Sequence, residues 1–145
     1  MQDAVQVAIA DKLATITSLT SWLGDGANSI LAEGDADPDN TPQPFLEIEF
    51  DGSRTTVHDG EEIEMWTIRM YDSNRGYSGI EQQLKAIRAA LHNQILTADP
   101  SEDSYILTRG VRWMGDTPRG YNYAFNARTE GAKFEVRVFR KQDTI

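Results

Sequence analysis

The segment EIEMWTIRMYD, residues 62–72, limits the fold more than any other stretch of this 145-residue chain. Ile63, Met65, Thr67, Arg69 and Tyr71 alternate with Glu64, Trp66, Ile68 and Met70. A strand turns successive side chains to opposite faces, so large apolar groups stand on both sides of it. Such a strand belongs in the middle of a sheet, covered on at least part of both faces.

What covers it is written in two helical stripes. Val5, Ile9, Leu13, Ile16, Leu19 and Leu23 recur three or four apart, which predicts one amphipathic helix over 2–23. Gly24 and the pair Asp25-Gly26 end it, as residues that tolerate left-handed backbone. A second helix is expected over 78–96, opened by a Ser78–Glu81 capping box and buried through Ile80, Leu84, Ile87, Leu91 and Ile95. Between the first helix and the sheet, residues 25–44 read as a long polar loop. Strands fill 45–72, with Leu46, Ile48 and Phe50 opposite Glu47 and Glu49, a turn at Asp51-Gly52 and a second strand before Asp59-Gly60. Further strands fill 104–141, where Phe134, Val136 and Val138 oppose Glu135, Arg137 and Phe139. The expectation is a single α+β domain over 1–145, a mostly antiparallel sheet with two amphipathic helices packed on one face.

Does any stretch carry chemistry? Asp35, Asp37 and Asp39 have the alternation of a calcium loop, but Asn40 stands where its glycine is needed and Leu46 where its bidentate glutamate is needed. They read as a solvated loop, stiffened into the next strand by Pro42 and Pro44. His58 and His92 have no ligand-spaced companion, no G-x-S-x-G elbow occurs, and the glycines are single turn markers. The absence of cysteine removes disulfides and thiolate chemistry. Glu62 and Glu64 fall on one strand face, most simply a solvated or interfacial one. Trp113, Tyr121, Tyr123 and Phe125 with Arg112, Arg119 and Arg128 have the makings of a single-strand platform, but read more simply as alternating residues of an ordinary sheet. No catalytic, cofactor or metal set is expected, and no enzymatic activity.

Net charge is -9, which argues against general nucleic-acid binding. It is uneven: residues 1–60 hold two basic and eleven acidic groups, residues 104–145 eight basic and four acidic. The simplest reading is pairing within one fold; the alternative is pairing between copies, head to tail, which closes into a ring when the rotation allows. No run approaches the length of a membrane span.

The order of elements, with TPQPFLEIEF, HDGEEIEMWTIRMYD, GIEQQLKAIRAALHNQIL and the closing FEVRVFRK, resembles the tail-completion or tail-terminator proteins of long-tailed bacteriophages and tail-like particles. The resemblance spans nearly the whole chain and rests on pattern, with no invariant motif. It implies a virion protein assembled in the host cytoplasm. A hexameric ring of it would cap the head-proximal end of the tail tube, stop polymerisation and meet the head connector. DNA would pass through the channel without specific binding, and Glu61, Glu62 and Glu64 would give the lumen a negative lining. For contacts with a neighbouring subunit or the tube, the expected residues are Asp59, Glu61 and Glu62 on the acidic side and Arg119 and Arg128 on the basic side. The alternatives are another neck component, adaptor or stopper, and a small cytoplasmic ligand-binding or enzymatic α+β domain.

Overall fold

The computed structural model describes residues 4–56, 60–74, 76–96 and 106–140, with backbone alone for 106–109, 139 and 140. Helices α1 (Ala4–Ala14) and α2 (Thr17–Trp22) lead through a 3-10 turn (Gly26–Ser29) into the short strand β1 (Ile30–Ala32). Strands β2 (Phe45–Thr55) and β3 (Glu61–Asp72) precede helix α3 (Ser78–Leu91). The chain closes with β4 (Ile106–Asp116), β5 (Gly120–Asn122) and β6 (Ala127–Arg140). The fold is α+β.

Strand β3 lies at the centre of the sheet order β1-β2-β3-β6-β4, with β5 pairing the start of β6. All pairings are antiparallel except β1 on β2, where Ile30–Ala32 run beside Leu46–Ile48. All three helices cover one face. There Leu46, Ile48, Ile68, Met70, Phe134 and Val136 meet Val5, Ile9, Leu13, Leu19, Ile80 and Ile87 in one core.

Four expected element bounds change. The helix expected over 2–23 is two, because Thr15, Ile16 and Thr17 are β-branched and the Thr15 hydroxyl donates to the Lys12 carbonyl at 2.6 Å. Ile16 goes extended (φ -84, ψ 101) and the stripe resumes in α2, so Leu19 and Leu23 still reach the core. The loop expected over 25–44 contains the 3-10 turn and β1, which pairs with the strand that the prolines introduce. Asp51-Gly52 is a bulge inside one long β2, with Phe50 opposite Trp66 and Gly52 opposite Met65. Helix α3 stops at Leu91, which leaves Ile95 65% exposed and makes Leu96 the buried residue.

The capping box does not form. Tyr77 is the N-cap and no side chain caps the helix; the Glu81 carboxylate is drawn instead to Arg119.

Gly24 ends α2 for a different reason from the one its sequence implies. It is absent from the left-handed residues, whereas Gly26 has φ 55. Its N–H donates to the Pro44 carbonyl at 2.8 Å, and an added Cβ would lie 2.7 Å from the Gln43 carbonyl oxygen. Glycine is required there by close backbone approach. Gly24→Ala is expected to cost about 1–3 kcal/mol, since backbone must move to accept the methyl. A chemical-denaturation midpoint measures it, and an unchanged midpoint would refute the packing argument.

Candidate functional site

The sheet face away from the helices bears the chain's unusual chemistry. Its β2 side is acidic. The Glu47 Oε2 accepts the Gly34 N–H at 2.8 Å and its carboxylate also holds the Tyr71 hydroxyl. Burial, then the adjoining Glu47 charge, pushes the Tyr71 phenol well above its ordinary range. Beside it Arg69 Nε reaches Glu49 Oε1 at 2.9 Å; burial raises the Glu49 carboxyl, and the guanidinium opposes the rise. Asp51, at the bulge, accepts the Thr67 hydroxyl.

One end of this face is covered. Phe45 stacks on Tyr71 with ring centroids 4.6 Å apart, and Phe125 tilts against both. The segment 33–44 folds over that cluster through Ala36. It displays Glu33, Asp35, Asp37 and Asp39 to solvent. Asp37 ties its own turn, accepting the Asp39 N–H at 3.0 Å and the Asn40 amide at 2.7 Å, and the first of these leads in lowering its carboxyl.

The β6–β4 side is basic. Arg112, Lys133 and Arg137 are exposed there, with Glu135 among them and 3.8 Å from Arg137. Between the two sides lies an open recess of about 430 Å³ whose floor includes Ile63, Met65 and Met114. Among the described residues no three metal-ligating side chains converge, and no helix is long and apolar enough to cross a membrane.

The residues expected to make contacts fall at opposite ends of the sheet. Glu61 pairs with Phe139 at one end of β3 and Asp72 with Arg128 at the other; eleven rises of a strand set them roughly 35 Å apart. Asp59 and His58 lie outside the described residues. Glu61 and Glu64 are not solvent-facing, at 2% and 1% exposure, and Glu64 accepts the Trp66 indole N–H at 3.0 Å on the core side. These two cannot line a channel from the surface of the subunit, which corrects the expected negative lining. Glu62 is half-buried on that same core-side parity.

Arg119 and Arg128 are occupied within the chain. Arg119 bonds Glu81, lies 3.4 Å from Glu130 and sits 4.5 Å over the Tyr77 ring. Arg128 donates to the Asn74 carbonyl at 2.9 Å, and Tyr77 donates to the Gly120 carbonyl at 2.9 Å. Together they fasten the β5–β6 hairpin to the start of α3. The tip keeps Tyr121 and Tyr123 outside, 47% and 84% exposed.

The aromatic platform does not assemble. Trp113 packs against the helix-side core beneath Arg88, while Phe125 belongs to the other face. His92 accepts the Trp113 N–H at 3.1 Å, and the segment 92–94 bonds Val111 on both sides, blunting the outer edge of β4. Sequence reasoning missed Lys133 as a surface group; its signal was the alternation Lys133, Glu135, Arg137 against an apolar series.

No family model matches the chain, and no curated protein matches it in sequence. Among solved structures, a chain in a virion of a native gene transfer agent particle has a similar fold, with a TM-score of 0.68 at 13% identity. The likeness takes in 94% of this chain and 95% of that one, so what the two share is the whole fold from α1 to β6.

Proposed function

We propose that this chain is a structural component of a phage-like virion, a tail terminator whose ring caps the head-proximal end of the tail tube and meets the head connector. Its role in this reading is mechanical and not catalytic. One observation carries it: the fold, end to end, is similar to that of a chain in a gene transfer agent virion, with neither chain much longer than the match. The resemblance read from the order of elements points the same way. The DNA-passage part of the reading does not depend on Glu61 or Glu64, both of which are buried.

A capping assay tests it. Tail-tube protein is polymerised with and without the purified chain, and tubes are counted and measured by negative stain, with native mass taken on the same sample. The expected result is tubes that stop growing and carry a ring of this protein at one end. A protein that leaves tube growth unchanged and never sits on a tube end would overturn the terminator role.

A further inference from the structure

We propose that the helix-free face of the sheet is a self-docking surface, on which the acidic flank of one copy seats against the basic flank of the next. This deepens the ring reading by naming its contacts. The acidic flank is Glu33, Asp35 and Asp39 with Asp51, at the β1–β2 side; the basic flank is Arg112 and Lys133, at the β4–β6 side.

Three observations support it. The imbalance along the sequence becomes an imbalance across the surface. Acidic segment 33–39 leaves β1 and returns to β2 at one edge, while Arg112 stands on β4 at the other edge and Lys133 one strand in from it, on β6. None of these six groups takes part in an ion pair among the described residues; the five pairs formed involve Arg69, Arg119 and Arg137 only. Nor do the flanks reach each other within one molecule. Segment 33–39, between β1 and β2, lies three to four strand spacings from Lys133 on β6 and Arg112 on β4, roughly 14–19 Å, beyond the screening length at physiological salt; Asp51 is the exception, two spacings from Lys133 across Thr67. Opposite charges held apart on one rigid sheet are matched by a second molecule.

Why a second copy and not a nucleic acid or an unrelated protein? A polyanion is attracted by one flank and repelled by the other. Further copies of the chain present the opposite charge to each flank, one neighbour on either side, and joining unlike edges is a heterologous contact, the kind that builds rings. Between the flanks, Met65 and the 45% exposed Met114 supply the apolar centre that a polar-rimmed interface needs. Glu135 lies among the cations but faces Arg137; on the β2 side Arg69 is held by Glu49, and Arg54 stands beyond the bulge.

A charge swap tests this. One variant carries Arg112→Glu and Lys133→Glu, the other Glu33→Lys, Asp35→Lys and Asp39→Lys; all five positions are exposed, so folding is checked by circular dichroism and melting. Sedimentation at low salt is expected to show wild-type self-association. Each variant alone should have its dissociation constant raised by at least about tenfold, since like charges face each other. An equal mixture should associate again, because every reversed flank then meets its opposite. Carbodiimide coupling of isotope-labelled with unlabelled wild type should join Lys133 of one copy to an acid between 33 and 51 of another. A wild type that stays monomeric at low salt, a mixture that does not recover, or cross-links elsewhere would each overturn the proposal. Self-association through these flanks without tube capping sinks only the terminator reading; capping that survives both reversals sinks only the docking surface.

Discussion

Phe134→Ala is expected to remove about 3–5 kcal/mol of stability, the range for a fully buried aromatic truncated in a packed core. Phe134 is 1% exposed and stands opposite Trp66 on β3 and Trp113 on β4, so its ring fills the helix-side core where three strands meet. A loss of that size is a large part of the 5–15 kcal/mol available to a domain of this kind. The site has little freedom to collapse, because β3 and β6 stay in continuous register from Glu61 to Asp72 and hold their backbones apart. Phe134→Leu, which keeps most of the volume, should lose distinctly less. Urea unfolding of both variants decides the matter. A Phe134→Ala midpoint close to wild type would mean that the helices close over the gap, and that the core is set less firmly by the sheet than its register implies.

How much of this was legible beforehand follows from which forces are local. Period and alternation are local, so β3 as the central strand, the Phe134–Val138 face and the α1 and α3 stripes were readable from spacing alone. The break at Thr15–Thr17 was also local, but a continuous apolar stripe masked it: three-residue steps from Leu13 to Ile16 to Leu19 fit one helix or two. Strand β1 was hidden for another reason. A three-residue strand has no periodicity, and Ile30–Ala32 is a strand only because Leu46–Ile48 lies beside it. The same holds for Gly24, whose need for glycine comes from Gln43, nineteen positions away. Charged side chains were the least legible. Glu61, Glu62 and Glu64 look alike in an acidic run, yet the fold buries two of them on opposite faces. Arg119 and Arg128 look like surface cations, and the hairpin uses both. Burial is decided by what packs against a residue, which an acidic or basic letter does not record.

Glu61 sets the second large expectation. Its carboxylate is wholly enclosed, and among the described residues neither oxygen receives a hydrogen bond; the charge is balanced by the Arg137 guanidinium at 3.6 Å, itself about half exposed. Removing one partner of a buried pair strands a charge in a poorly polarisable site and typically costs more than the pair is worth, whereas apolar replacement of both is often neutral or better. Arg137→Met is therefore expected to lose about 2–3 kcal/mol, below the usual range because water screens the exposed half of the pair. Glu61→Met should be close to neutral, since the guanidinium left behind reaches solvent and has Glu135 at 3.8 Å. The double variant should recover most of what Arg137→Met loses. The cycle is read from denaturation midpoints at neutral pH, where the carboxylate is charged in the unfolded chain. If Glu61→Met proves as damaging as Arg137→Met, the carboxylate is a stabilising contact and not a charge that Arg137 merely makes tolerable. The asymmetry between the two single variants is thus the observation that decides what this ion pair does for the fold.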